Sequence, residues 1–234
     1  TLSISEKTLD HLHKDVDWLY DNFDIEDKKL YQMLACAKSD CIFQLESDMF
    51  KNYLQEMKPT CFDDISATTA LLRPGPLSAN LHHQYATRKQ GLEESALPLR
   101  GIDNIVSNTY SVIPYQEQMM MISKQVSGFD DNQADSLTRK IFAKKQVAKM
   151  PMLERCHIYG KKNCEGPEGW ENNNELPWYD PKGKYGPEIK GALANGYTEK
   201  EMKDYFELIQ GFSSYLFNKS HAVAYSFTSM LTTW

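Results

Sequence analysis

Apolar side chains recur three and four positions apart along most of this chain, the period of an α-helix with one buried face. Leu9, Leu12, Val16, Leu19 and Phe23 keep that spacing, as do Leu30, Met33, Leu34 and Ala37, which predicts two amphipathic helices in the first forty residues. In "QLESDMFKNYLQEMKP", Met49, Phe50, Tyr53, Leu54 and Met57 share a face and Pro59 follows the end. Asp63 or Asp64 is placed to cap a short helix through Leu72, which "RPGP" stops. Pro114 suits the first turn of "PYQEQMMMISKQVSG", where Met119, Ile122 and Val126 form a stripe that Gly128 can end. The methionines read as core filler, because the flexible thioether fits irregular apolar gaps. A further helix is expected from near Asp131, carrying Ala134, Leu137 and Ile141. Thr198 and Glu201 form a capping box before Met202, Tyr205, Phe206 and Ile209, and Ser220 is placed to cap "HAVAYSFTSMLTTW". Alternating apolar and polar runs are scarce, so the expected fold is mainly α.

One segment breaks this rhythm. "GKKNCEGPEGWENNNELPWYDPKGKYGPEIKGALANG", at about 160–196, is rich in Gly, Pro and Asn and has no long helical face. Trp170, Trp178, Tyr179 and Tyr185 favour a compact excursion, with room for a small hairpin, over a disordered tract. The 234 residues allow one large domain or two small ones, and 41% hydrophobic with 25% charged residues is a globular balance. A net charge of -6 excludes a surface that is basic all over, so any phosphate site must be a local patch.

Cys36, Cys41, Cys61, Cys156 and Cys164 form no Cys-x-x-Cys pair, and an odd count suits reduced thiols. Cys156, His157 and Cys164 match no usual zinc spacing. With no apolar run long enough to span a bilayer and no signal-peptide core at the start, a soluble intracellular protein is expected. A start at Thr1 rather than Met suggests a fragment or a processed chain.

Chemistry is suggested at three places. "RKIFAKKQVAK" gathers Arg139, Lys140, Lys144, Lys145 and Lys149, with no acidic residue between Asp135 and Glu154. Such a run can hold a phosphate chain or be a solvated basic face. "ALLRPGPL" ties Arg73 to a stiff Pro-Gly-Pro bend, and "NKSHAVAY" puts Lys219 and His221 at a helix opening, where backbone N–H groups favour an anion. No P-loop, Rossmann fingerprint, nucleophile elbow or His-Glu-x-x-His is present.

Each motif is weak alone, but "CIFQLES", "ALLRPGPL", "PYQEQMM", "ADSLTRKIFAKK" and "FNKSHAVAYSF" follow one another in an order that resembles the α subunit of bacterial DNA polymerase III (family C, DnaE-type). The resemblance implies a mainly α, helical fingers domain over 41–234, with an irregular insertion at about 160–196, and a connection from palm to fingers over 1–40. It implies a host or phage replication enzyme of the bacterial cytoplasm. It also implies nucleotidyl transfer, in which the primer 3′-hydroxyl attacks the α-phosphate of a deoxynucleoside triphosphate. The Mg2+ ions of that reaction belong to palm aspartates outside this chain, so no catalytic or metal residue carries over, and the chain alone is not expected to polymerise.

Further by resemblance, Arg139, Lys140, Lys144, Lys145, Lys219 and His221 hold the incoming nucleotide, and Arg73, Phe217, Asn218 and Tyr225 face the nascent base pair or DNA. The partners implied are primer-template DNA, deoxynucleoside triphosphates, the palm and thumb of the same polymerase, and replisome proteins that bind elsewhere on it; no membrane is involved. The family's Arg-Arg-Ala-Met-Gly-Lys-Lys segment aligns with the basic run only with one extra residue between Ala134 and Arg139. It then puts Lys140 on an Arg position and Ala143 on the Gly. Two other readings compete from composition alone: a non-catalytic nucleic-acid-binding module and a helical protein-interaction domain.

Overall fold

The computed structural model describes residues 2–139, 150–160, 189–211 and 216–234. Among them the chain is helical throughout and has no strand, only one isolated bridge between Tyr115 and Phe217. The expected pair of N-terminal helices is three: α1 (Leu2–His11), α2 (Val16–Asn22) and α3 (Lys28–Ala35). The first stripe breaks because His13 takes a left-handed turn (φ 56) and the Asp15 carboxylate accepts from Trp18 N at 2.7 Å, which starts a new helix. Leu12 and Val16 are accordingly left exposed, whereas Leu30, Tyr31 and Leu34 of α3 join the main core.

Helix α4 (Asp48–Met57) buries Tyr53, Leu54 and Met57 but leaves Met49 exposed, one position off the face expected for it. Helix α5 (Phe62–Leu71) is buried all along from Asp64 to Leu71, the pattern of a helix at the centre of a bundle. Neither aspartate is its N-cap; Cys61 holds that position. Asp64 instead reaches back three and four residues, its carboxylate accepting from Cys61 N at 3.2 Å, Thr60 N at 2.7 Å and Thr60 Oγ1 at 3.2 Å. Tyr85 Oη at 3.1 Å and Lys89 Nζ at 3.4 Å complete its partners, so this buried carboxylate is both hydrogen-bonded and neutralised. The "RPGP" bend does more than stop α5, since Arg73 and Pro74 open a new short helix, α6 (Pro74–Ser78). Helices α7 (Leu81–Lys89) and α8 (Asp103–Val106) follow.

Helix α9 (Gln116–Ser127) buries Met119, Ile122 and Val126 and ends at Gly128 in the left-handed region (φ 75), as its stripe predicts. Pro114 lies outside it: its carbonyl accepts Phe217 N at 2.9 Å, while Gln116 N donates to Phe217 O at 2.9 Å. Helix α10 (Asp131–Gln133), capped by Asp130, widens into a π-helical stretch over Ala134–Arg139. Ala134 is buried there, and Ile141 lies outside the described residues. Helix α11 (Met150–Tyr159) packs on α9 and on α12 (Glu199–Gln210), whose Thr198–Glu201 capping box is present.

Where α11 ends, the backbones of Gly160 (φ 79) and Gly191 (φ 85) lie against each other. A Cβ on Gly191 would stand 2.3 Å from Gly160 N, and one on Gly160 would stand 2.4 Å from Ile189 O. Positions 160 and 191 thus meet at one point, which Gly191 N→Ser127 O (3.0 Å) and Ala192 N→His157 O (2.7 Å) fasten. Trp170, Trp178, Tyr179 and Tyr185 lie outside the described residues.

The last helix, α13 (Lys219–Thr233), is capped by Asn218, whose Oδ1 accepts from His221 N at 2.9 Å, and not by Ser220, which falls inside its first turn. It lies along α5, with Thr69 Oγ1 and Ser226 Oγ 3.3 Å apart in the buried contact. Small residues on both helices, Ala70 and Ala222 among them, permit that close approach.

Candidate nucleotide- and DNA-binding face

The α5–α13 contact brings together motifs that are far apart in sequence. The Arg73 guanidinium stands 3.8 Å above the centre of the Phe217 ring. The Phe217 and His221 ring centres are 5.3 Å apart, those of His221 and Tyr225 4.1 Å, and those of Tyr225 and Phe43 5.5 Å. His221 and Tyr225 stand one turn apart on α13, and Phe217, just before its Asn218 cap and held by the bridge to Tyr115, extends the row beyond the helix start. Arg73 enters from the α5–α6 bend and Phe43 from the turn before α4.

This row is a strip of flat, polarisable faces with a cation at one end. His221 is exposed and Phe217, Tyr225 and Phe43 are half-buried, so ring surface stays open to a partner. Lying on Phe217 desolvates Arg73 and lowers its pKa, yet a guanidinium keeps its charge at neutral pH. Lys219 is exposed beside the row, its Nζ 5.7 Å from the centre of the buried Tyr115 ring.

The opening of α13 is already partnered. Glu117 accepts from Lys219 N at 2.9 Å and from Asn218 Nδ2 at 3.0 Å. Its carboxylate therefore occupies the place where the helix start would favour an anion. An added anion there meets side-chain charge from Lys219, not a free set of backbone donors.

Arg139 stands at the end of the π-helical stretch, where its Nε donates to Asp135 four residues earlier. That hydrogen bond, and more weakly the Glu117 charge, raises its pKa, so the guanidinium is firmly cationic. Glu117 thus acts electrostatically on both the Arg139 arm and the start of α13. Lys140, Ala143, Lys144, Lys145 and Lys149 lie outside the described residues. Among those described, no group of three or more His, Cys, Asp or Glu side chains is arranged to hold a metal ion. No helix among them is long and apolar enough to cross a membrane.

Sequence reasoning missed two members of this face. Glu117 sits in "PYQEQMM" and Phe43 in "CIFQLES", both conspicuous motifs, but nothing in their spacing says that one reaches the α13 cap and the other the Tyr225 ring. Both contacts depend on chain reversal over long intervals.

Comparison with known proteins agrees with the helical face. The family described as bacterial DNA polymerase III alpha subunit finger domain matches residues 1–163. A DNA polymerase III subunit alpha of Aquifex aeolicus (strain VF5) is 37% identical over 210 residues, 90% of this chain and 15% of that protein. One of Staphylococcus epidermidis (strain RP62A) is 35% identical over 230 residues, 96% of this chain and 18% of that protein. One of Escherichia coli (strain K12) is 31% identical over 215 residues, covering 90% and 16%. The chain belongs to the family of bacterial DNA polymerase III alpha subunit finger domains, and it spans less than a fifth of the length of these relatives.

Proposed function

We propose that this chain is the fingers portion of a template-directed DNA polymerase that binds the incoming deoxynucleoside triphosphate and the nascent base pair during replication in a bacterial cytoplasm, of host or phage origin. The observation that supports this most is the single row Arg73–Phe217–His221–Tyr225, assembled from separate motifs in a chain of the fingers family. Stacked rings present π-faces on which a base can rest whatever its identity, which a template-directed enzyme requires. Arg73 at one end and Lys219 at the other side supply charge for phosphates.

Arg139, with Lys140, Lys144 and Lys145, holds the triphosphate, Arg139 through its planar fork and each lysine as a compact charge. Asn218 keeps the start of α13 in place, so that His221 faces the base pair. The work of this chain is to bind and orient; two Mg2+ ions held by aspartates outside it would stabilise the attacking and leaving oxygens. Alone, without that palm, the chain does not polymerise. Residues 1–40 connect palm to fingers, a division of role and not of packing, since α3 shares the core of α4 and α5.

The test is steady-state incorporation by the complete polymerase with Arg139, Lys144 and Lys145 changed singly to Ala. Each should raise the nucleotide KM or lower kcat, with a loss of roughly 1.5–3 kcal/mol in kcat/KM for a charge-assisted contact. Unchanged kinetics in all three would remove the basic run from the site. A salt-dependent loss of DNA affinity with no nucleotide effect would point to a non-catalytic nucleic-acid-binding module.

A further inference from the structure

Four polar side chains are sealed in the apolar core beside the Arg139 arm: Ser123 and Ser127 of α9, Thr138 of the π-helical stretch and His157 of α11. Ser123 Oγ and Thr138 Oγ1 are 2.8 Å apart; each is 3.4 Å from His157 Nε2, and Ser127 Oγ is 3.0 Å from His157 Nδ1. One proton count satisfies them all. Ser123 gives its hydroxyl proton to Met119 O at 2.8 Å and accepts that of Thr138. Neither hydroxyl then has a proton left for His157, so Nε2 carries the proton and donates, while Nδ1 accepts from Ser127. The ring is pressed between Phe129 and Phe206, with centre distances of 4.4 and 5.2 Å.

Thr138 lies within a stretch whose geometry is itself unusual. A π turn closes its hydrogen bond over one residue more than an α turn.

Such a turn needs to be held, because its geometry is rarely the favoured one. The Asp130–Gln133 capping box fixes its entrance and the Arg139–Asp135 pair spans its exit, and Thr138 bonds from inside the turn to Ser123 and His157 in the core. A valine would fill the same volume; what the hydroxyl adds is a single permitted position, since a buried donor can point only at its acceptor.

We propose that Thr138, anchored through Ser123 and His157, is a positioning residue for nucleotide binding: it pins the π turn so that Arg139 meets the triphosphate in register. This rests on the reading of Arg139 as a triphosphate ligand.

The experiment uses the complete polymerase carrying Thr138→Val, Thr138→Ser, Ser123→Ala or Arg139→Ala. For each, nucleotide KM and kcat, primer-template affinity and melting temperature are measured. Thr138→Val should raise the nucleotide KM roughly three- to tenfold and leave primer-template affinity unchanged, while Thr138→Ser, which keeps the hydroxyl, stays within about twofold of the parent. Should Thr138→Val not fold, Ser123→Ala removes the same partner from α9 and is read in the same way. A lowered melting temperature with unmoved KM, alongside a raised KM in Arg139→Ala, would overturn the proposal and leave the Arg139 reading intact. An unmoved KM in Arg139→Ala would remove that reading and this inference together.

Discussion

His157 and His221 show what one residue type does in opposite surroundings. His157 has no useful exposure, two serines and a threonine within hydrogen-bonding reach, and aromatic rings on two sides; burial pushes its pKa down to about 3, so it stays neutral. His221 lies on an exposed helix face between Phe217 and Tyr225, and its backbone, not its ring, is what the Asn218 cap holds. The first has spent its bonding capacity inside the protein, as a structural anchor must. The second stays exposed beside two ring neighbours, as its proposed binding role requires. A histidine at a helix opening and a histidine near a cysteine look equally suggestive in a sequence, and only the inventory of partners separates them.

The anchor region should be the more easily broken. Gly191→Ala would set a Cβ against the Gly160 backbone at a left-handed φ, so urea unfolding of the chain should show a loss of about 3 kcal/mol; a loss below about 1 kcal/mol would mean the two glycine backbones are not clamped.

The same region should also respond to pH. The folded-state pKa of His157 is depressed below its ordinary 6.5, so the unfolded chain takes up a proton that the folded chain refuses. Its contribution is therefore complete above about pH 6.5 and is lost as pH falls from there toward about 3. The slope should be about 1.4 kcal/mol per pH unit, and His157→Gln should flatten it. An equal slope in parent and variant would show that other groups dominate.

On the row, Phe217→Leu removes the ring beneath Arg73 but keeps an apolar side chain, and should cost about 0.5–1 kcal/mol of folding stability at this half-buried site. The same variant in the complete polymerase should reduce kcat/KM by more than that, because its effect there includes the lost stacking surface. A purely structural row would show the stability loss alone.

Local features of this fold were legible in the sequence. The α9 stripe with its Gly128 stop and the Thr198–Glu201 box rest on contacts within a few residues, which spacing reports directly. The caps of α5 and α13 were placed too far along because Asp63 and Asp64 follow Cys61, and Ser220 follows Asn218, and only the backbone turn decides which residue is outermost. The stripe through Leu12 and Val16 misled because periodicity does not register a left-handed residue such as His13. Of the candidate site, the members on α13 share a face that the sequence already implies. Arg73 on Phe217, Glu117 on the α13 start and Thr138 on Ser123 are tertiary contacts with no local signal.

The most direct measurement of the central claim is photo-crosslinking from position 221. A benzophenone side chain would replace His221 in the complete polymerase, bound to primed template and a non-extendable incoming nucleotide, with DNA strands and nucleotide separately labelled. The account predicts crosslinks to the incoming nucleotide or to the template base opposite it, dependent on the nucleotide being correct. Crosslinks confined to the duplex away from the primer end, or none to nucleotide or DNA at all, would contradict it.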